Sequence, residues 1–188
     1  MRPWQLVLIV EDDTDGWALR ALAERCGFEG TVDWLPANGI GNIKRRGREL
    51  IALARARLGG AAGCVSVVVD GDGRDVDSDD PLRAIAHTCR REGVRLVVAR
   101  EALEAWLLAD GGVAQWLDRS PSRRADQIRH PKRDLAQAYY RKTGRPYSPR
   151  LARRKLAAQV DGSGASRSAS LRAALSYVQD SGCRVQQL

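Results

Sequence analysis

The sequence has few residues that bind zinc and no long hydrophobic run. Its 188 residues include 4 cysteines and 2 histidines, and no two cysteines form a CxxC pair, so we do not expect a structural zinc site. No apolar segment approaches the roughly 20 residues that span a bilayer. The apolar stretch near the N-terminus is short and ends in acids, which is unlike a signal peptide. These absences predict a cytoplasmic protein with no membrane segment.

Nucleotide-binding motifs are also missing. The glycine-rich segment GIGNIKRRG (residues 39–47) is neither a Walker P-loop nor a dinucleotide-binding fingerprint. An ATP site would therefore have to come from a partner protein. The composition is that of a folded protein, with 44% hydrophobic and 29% charged residues. The length fits one domain, or one domain with an appendage.

The charge of the chain is divided between an acidic N-terminal part and a basic segment that follows it. Residues 1–118 carry 15 basic and 19 acidic side chains, whereas residues 119–155 carry 13 Lys or Arg against 2 Asp. Acidic side chains bind cations, and a basic segment attracts phosphates. A solvated helix face is the alternative explanation of such a charge run. We predict an α/β domain over residues 1–118 and a basic helical extension over residues 119–188 that packs on it.

Four short segments alternate with helical patterns in the first part of the chain. Three of them are apolar throughout, and FEGTVDWL (28–35) is a weaker strand. The apolar three are WQLVLIV (4–10), CVSVVVD (64–70) and VRLVVA (94–99). Strands without polar alternation are typical of a parallel sheet covered on both faces. The sequence therefore predicts an α/β fold with a mainly parallel sheet of about four strands, flanked by helices.

The helical patterns predict the ends of several helices. The first helix is expected to begin with Thr14 as its N-cap, and the helix of residues 101–110 is expected to end at two glycines. Beyond residue 111 no strand pattern occurs. Three helical stretches are predicted there, at about residues 125–143, 149–159 and 167–180.

Acidic side chains follow three of the predicted strands. Glu11 comes after the first strand, Asp70 ends the third and Asp72 follows it, and Glu101 and Glu104 come after the fourth. Ligands of open parallel sheets bind beyond the carboxyl ends of the strands, so we expect these carboxylates to converge at one edge. Such oxygen donors suit Mg²⁺ or Mn²⁺. Ionised carboxylates that lie together also need a cation to neutralise them.

Some of these acids have an equally good structural explanation. Asp12 and Asp13 are as well suited to cap the first helix as to bind an ion. Asp15 lies one turn after Glu11 and is either a second ligand or an ordinary first-turn acid. Asp70 has the stronger functional case, because an acid at the end of so apolar a strand requires a reason.

The opening LVLIVEDD (6–13) is shared by two unlike families. Phosphoacceptor receiver domains begin in this way, but their phosphorylated aspartate comes earlier in the chain than Asp70. They also need a lysine after the last strand, and no lysine lies between Lys44 and Lys132. The resemblance to receiver domains therefore stops after the first strand and helix.

The order of the motifs resembles Toprim nucleases more closely. Glu11, with an acid four residues later, resembles the Toprim glutamate motif, and DGD at residues 70–72 resembles the Toprim DxD motif. The segments EALEAWLLAD (101–110) and HPKRDLAQAYYRKTGRPYSP (130–149) resemble a small Toprim-like bacterial family. That family is related to the nuclease halves of OLD-type (overcoming lysogenization defect) proteins. Its members are often encoded beside ABC- or AAA-type ATPases, and phage defence is the suspected setting.

This resemblance implies a Toprim- or Rossmann-like fold and metal-dependent hydrolysis of phosphodiester bonds in DNA or RNA. Asp70 and Asp72 would hold Mg²⁺ or Mn²⁺, with Glu11 as a ligand or as a general acid or base. Glu104, with or without Asp15, would hold a second ion.

Basic residues of the extension would meet the nucleic acid. Lys132 would act at the scissile phosphate as a point charge, and Arg133 as a bidentate donor. Tyr139 and Tyr140 lie among basic residues and suit base stacking, although packing is expected for at least one of them. The predicted nucleic-acid contacts are Lys132, Arg133, Arg141, Lys142 and Arg145.

One departure from the family leaves an alternative open. Toprim proteins usually carry glycine directly after the first glutamate, where this chain has Asp12. That side chain would crowd the site or supply another ligand. The alternative is a non-catalytic nucleic-acid-binding or regulatory subunit that keeps the Toprim fold, and a receiver-like signalling domain ranks third. The choice between DNA and RNA, the number of ions and the oligomeric state, including a homo-oligomer, are left open.

Overall fold

The four predicted strands form one parallel sheet. The computed structural model describes residues 4–179, with side chains up to residue 176. The strands are β1 (Gln5–Val10), β2 (Thr31–Pro36), β3 (Gly63–Asp70) and β4 (Arg95–Ala99). They pair in the order β2-β1-β3-β4, and every pair is parallel. The predicted α/β fold, with a four-stranded sheet flanked by helices, is confirmed and is consistent with a Rossmann- or Toprim-like architecture.

Within the described residues, eight α-helices connect the strands and follow the sheet. They are α1 (Asp13–Arg25), α2 (Ile40–Leu58), α3 (Leu82–Arg91), α4 (Leu103–Ala109), α5 (Gly111–Trp116), α6 (Pro131–Thr143), α7 (Pro149–Ala157) and α8 (Ala169–Gln179). The last three correspond to the predicted helical stretches of the extension. Residues 180–188 of that extension lie outside the described part of the chain. None of the described helices combines the length and the apolar character of a membrane span.

The two faces of the sheet are covered by different helices. Leu6 and Leu8 of β1 belong to one hydrophobic cluster and Val7 and Ile9 to another, because successive side chains of a strand point to opposite faces. Helices α2 and α3 cover the second face. Residues of α1, α4, α6, α7 and α8 join the first cluster. The extension therefore shares a hydrophobic core with the sheet, and its separation as a domain at residue 118 stays a prediction.

Helix α1 is capped by Asp12, so the prediction of Thr14 as the N-cap is wrong. The Asp12 carboxylate accepts the backbone N–H of Thr14 at 2.6 Å, and the Asp15 carboxylate accepts the backbone N–H of Asp12 at 3.0 Å. This reciprocal pair is a capping box, and a carboxylate also suits the positive end of the helix dipole. The Asp12 side chain is thus directed to the start of the helix.

The two glycines after α4 begin a new helix, which the sequence did not predict. Asp110 is fully buried, and its carboxylate accepts the N–H of Val113 at 3.1 Å as the N-cap of α5. The same carboxylate accepts the N–H groups of Asp161 at 3.1 Å and Gly162 at 3.0 Å. Asp110 therefore ties α5 to the segment between α7 and α8.

Candidate metal centre at the carboxyl ends of the strands

Two acids meet where the strand order changes direction. The chain passes from β1 to β2 on one side and then crosses to β3 on the other, so the carboxyl ends of β1 and β3 border the crevice in which such sheets bind ligands. Glu11 directly follows β1, and Asp70 is the last residue of β3. Glu11 Oε1 accepts the backbone N–H of Asp70 at 3.0 Å. The structure thus brings together the first two acids of the predicted site.

The loop that carries Asp72 is held against the segment between β4 and α4. A Cβ atom at Gly71 would lie 2.3 Å from the carbonyl oxygen of Arg100, so only glycine fits there. The Asp72 N–H donates to the carbonyl oxygen of Glu101 at 2.7 Å. Asp72 has a φ of 49°, a region that costs non-glycine residues about 1–3 kcal/mol. This strained conformation lies in the DGD motif that the sequence singled out.

Lys132 pairs with both aspartates of the DGD motif. Its Nζ lies 2.8 Å from Asp70 Oδ2 and 3.4 Å from Asp72 Oδ1, and the other Asp70 oxygen accepts the N–H of Leu103 at 2.9 Å. Burial raises the pKa of Asp70, and Lys132 offsets part of that rise. Burial alone would lower the pKa of Lys132, but the two aspartates raise it overall. Lys132 is therefore a charged partner of both aspartates.

A second cation, Arg153 of α7, lies between Asp15 and Glu104. Its Nη2 donates to Glu104 Oε1 at 2.6 Å, and its Nη1 donates to Asp15 Oδ1 and, at 3.1 Å, to Thr14 Oγ1. The hydroxyl of Tyr147 also donates to Glu104 Oε1 at 3.4 Å. The Arg153 and Glu104 side chains are only 6% and 2% exposed. The extension thus places a buried guanidinium against two acids of the predicted site.

A single guanidinium neutralises two buried carboxylates only in part. Burial raises the pKa of Asp15 to about 7, although Arg153 lowers it. Burial would lower the pKa of Arg153, but Glu104 and Asp15 raise it overall. Glu104 Oε2 and Arg153 Nε are buried and have no hydrogen-bond partner among the described residues. This cluster therefore carries excess negative charge when both acids are ionised.

The carboxylates also act on one another across the edge of the sheet. Burial raises the pKa of Glu11 more than its hydrogen bond from Asp70 lowers it, and the charges of Asp70 and Asp72 raise it further. The charge of Asp70 raises the pKa of Asp15, and that of Glu104 raises the pKa of Asp70. Five carboxylates therefore influence one another, and three basic side chains pair with them. The acids are Glu11, Asp15, Asp70, Asp72 and Glu104, and the basic side chains are Lys132, Arg153 and Arg74, whose Nη1 lies 3.6 Å from Asp72 Oδ2.

The fit to a divalent ion differs between the two halves of this cluster. Within residues 4–179, no group of three or more His, Cys, Asp or Glu side chains is arranged to hold a metal ion. At Glu11, Asp70 and Asp72 the donors are hard oxygens that suit Mg²⁺ or Mn²⁺, and Glu11 Oε2 accepts no hydrogen bond from the described residues. At Asp15 and Glu104 the space between the acids holds Arg153. The donors of the first half have the chemistry that suits an ion, although the described side chains are not grouped around one point, and those of the second half are already paired with Arg153.

Comparisons with known proteins leave the family open. No protein-family model, curated protein or solved structure matches the chain. The likeness to Toprim proteins is therefore a matter of motifs and their placement.

The residues predicted to contact nucleic acid lie in different surroundings. Arg133 and Arg141 line a groove beside α6, whereas Lys142 forms an ion pair with Asp118, with 2.8 Å between Nζ and Oδ2. Arg145 is exposed in the loop between α6 and α7. Arg133 and Arg141 therefore line the same groove, and the roles of all these residues stay predictions.

The two adjacent tyrosines have opposite environments. Tyr139 is buried, and its ring lies 6.0 Å from that of Trp116 and 5.8 Å from that of Tyr147. Tyr140 is 58% exposed. The expected packing role therefore belongs to Tyr139, and Tyr140 is the one available to a ligand.

Sequence reasoning missed Arg153, although a signal was present. Ala152 and Leu156 mark the buried face of α7, and Arg153 is buried beside them. An arginine on the apolar face of an amphipathic helix needs a buried acidic partner. That rule predicts an ion pair with acids of residues 1–118, but it does not say which acids take part.

Proposed function

We propose that the protein is a metal-dependent, Toprim-type nuclease that hydrolyses phosphodiester bonds of DNA or RNA. The observation that supports this proposal is the excess of carboxylates over cations at the point where the strand order changes direction. Glu11, Asp70 and Asp72 meet there, and Lys132 is their nearest basic partner. A divalent ion would remove the remaining repulsion.

A single Mg²⁺ or Mn²⁺ ion would be held by Glu11, Asp70 and Asp72. When bound, the ion supplies Lewis-acid stabilisation of the charge that develops on the phosphate oxygens. A second ion at Asp15 and Glu104 is not part of the proposal, because Arg153 already lies between those two acids.

The side chains around this ion have distinct proposed roles. Glu11 has a raised pKa because of burial, which brings a carboxylic acid closer to the neutral range that suits proton transfer. Lys132 would donate to an oxygen of the scissile phosphate, because its amine is half exposed and already lies at Asp70. Arg153 would position Glu104 and Asp15 without touching the substrate.

The biological setting is proposed from the sequence resemblance alone. It comprises a cytoplasmic location, a partner ATPase of the ABC or AAA type, and a role in phage defence. The chain has no nucleotide-binding motif of its own, so a partner would supply any ATP-dependent step.

The proposal is tested by cleavage assays with purified protein. Labelled DNA and RNA oligonucleotides and tRNA are incubated with Mg²⁺, with Mn²⁺ and with EDTA. We expect cleavage only with metal, and loss of cleavage in Asp70→Asn and Glu11→Gln. Asp77→Asn is the matched control, since its side chain is 86% exposed and lies in the same acidic loop. Equal cleavage by Asp70→Asn and the unchanged protein would refute the proposal.

The ion pairs of Lys132 and Arg153 favour a second candidate, a nucleic-acid-binding subunit without catalysis. These cations already neutralise part of the acidic cluster. This candidate predicts nucleic-acid binding that needs no metal and survives Asp70→Asn, with no cleavage in any of the conditions above.

A further inference from the structure

An open groove runs beside helix α6 and the loop that follows it. Its volume is about 570 Å³, which lies within the roughly 300–1,000 Å³ of ligand sites. Arg133, Tyr140 and Arg141 of α6 line it, together with Pro146 and Tyr147 of the following loop. The wall thus combines aromatic rings with two guanidinium groups.

The arginines give this groove an affinity for anions. Within residues 4–179, Arg141 forms no ion pair, and Arg133 pairs only with its neighbour Asp134, at 3.6 Å. The surrounding segment, residues 119–155, carries 13 Lys or Arg against 2 Asp. Guanidinium groups bind phosphates with two parallel hydrogen bonds. The charge of the groove therefore complements a phosphate backbone.

Tyr140 makes the groove suited to a base as well as a phosphate. Its side chain is 58% exposed, so its ring is open to a flat partner. Proteins that bind single strands combine a basic groove with aromatic rings on which bases stack. In a duplex the bases are already stacked on their neighbours, so this arrangement selects an unpaired strand.

The groove shares helix α6 and Tyr147 with the acidic cluster. Lys132, which contacts Asp70, and Tyr140 both belong to α6. Their separation of eight positions corresponds to about 12 Å along a helix. Tyr147 lines the groove while its hydroxyl donates to Glu104. A strand that lies in the groove is therefore led towards the carboxylates.

We infer that this groove binds a single-stranded segment of nucleic acid, with one base stacked on Tyr140 and phosphates at Arg133 and Arg141. The inference rests on the proposed function, since the strand is led to the same carboxylates. DNA and RNA share this chemistry, and the test below distinguishes them.

Binding is measured by fluorescence anisotropy with labelled oligonucleotides in EDTA, so that no metal-dependent step takes part. The probes are single-stranded DNA, single-stranded RNA and the matched DNA duplex, each of the same length. We expect tighter binding of one single strand than of the duplex. Tyr140→Ala should weaken it on the order of tenfold, the range for the loss of one stacked base, and Tyr140→Phe should retain it.

The matched charge control for Arg141→Ala is Arg91→Ala. Arg91 is an exposed arginine at the end of α3, on the opposite face of the sheet. Arg141→Ala should weaken binding and flatten its dependence on salt, whereas Arg91→Ala should leave both unchanged. Thermal unfolding of each variant checks that the fold is kept.

Two outcomes would overturn the inference. The first is single-strand binding by Tyr140→Ala that equals that of the unchanged protein, and the second is equal binding of duplex and single strand. These outcomes are distinct from a failure of the proposed function. Selective binding through Tyr140 without any cleavage would support binding in the groove and refute the nuclease. Cleavage that does not depend on Tyr140 would support the nuclease and refute binding in the groove.

Discussion

The carboxylate of Glu11 accepts the backbone N–H of Asp70 across the carboxyl ends of β1 and β3, with 3.0 Å between Oε1 and N. One bond thus joins two acids that are 59 residues apart in the chain. It holds one oxygen of Glu11 in place, and the other accepts no hydrogen bond from the described residues. The geometry makes Glu11 both a structural acceptor and a candidate ligand.

These two roles of Glu11 are separable by substitution. Glu11→Gln keeps an oxygen acceptor for the Asp70 N–H, and Glu11→Ala does not. We expect Glu11→Ala to lower the free energy of unfolding by about 1–3 kcal/mol, the cost of a buried donor without a partner. Glu11→Gln should cost much less, because burial disfavours the charged form of Glu11. Urea denaturation measures both, and equal losses would contradict the structural role.

Lys132 should compete with a divalent ion for the two aspartates. Removing its charge in Lys132→Met frees Asp70 and, among the described residues, leaves Asp72 paired with Arg74 alone. We therefore expect Mn²⁺ to bind about two- to fivefold more tightly, the range for a half-exposed ion pair. Cleavage should fall in the same variant, because the donor to the phosphate is gone. Calorimetry and cleavage assays measure the two effects.

The control for this prediction is Lys44→Met. Lys44 forms a comparable ion pair with Asp80, at 2.9 Å and away from the cluster. It should change neither Mn²⁺ affinity nor cleavage. Unchanged Mn²⁺ affinity in Lys132→Met would show that the lysine and the ion do not share a site.

The edge of Glu11 and Asp70 could be anticipated from the sequence because β1 and β3 are largely apolar and each of these two acids stands at a strand end. The parallel order of the strands then brings Glu11 and Asp70 to the same edge. The burial of the whole of β3 was predicted in the same way, because CVSVVVD does not alternate apolar and polar residues.

What the sequence did not predict depends on contacts between distant segments. The pairing of Arg153 with Glu104 joins residues 49 positions apart, and no local pattern fixes it. The capping of α5 by Asp110 was hidden because glycines after an apolar helix usually mark its end. The choice of Asp12 over Thr14 as the N-cap shifts the start of α1 by two residues, which is within the usual precision of such boundaries.

Arg153 should contribute strongly to stability, since its loss leaves two buried carboxylates without a counter-charge. We expect Arg153→Met to lower the free energy of unfolding by about 3–5 kcal/mol. The neighbouring Arg154 is the matched control, because it only lies over the ring of Trp17, 4.9 Å from its centroid. Arg154→Met should cost about 1 kcal/mol or less. Equal costs in chemical denaturation would contradict the buried ion pair.

Asp15 should give the protein a characteristic pH dependence of stability. Its pKa is raised by burial from 3.8 to about 7, so the folded protein holds a proton that the unfolded chain has released. The resulting stabilisation is complete below the unfolded pKa and is lost as the pH rises through the folded pKa. Asp15→Asn cannot titrate and should lack this loss.

The measurement compares the unfolding free energies of the two proteins at about pH 5 and about pH 8. The unchanged protein should lose stability relative to Asp15→Asn as the pH rises. A relative gain would mean that Arg153 holds the Asp15 carboxylate ionised throughout and that its pKa is not raised.

The most direct test of the proposed metal centre is an isothermal calorimetric titration of the metal-free chain with Mn²⁺. We predict one ion per chain, lost in Asp70→Asn and in Glu11→Gln and kept in Asp77→Asn and Asp15→Asn. An intact chain that binds no Mn²⁺, or one whose binding is indifferent to Asp70→Asn, would contradict the proposed metal centre.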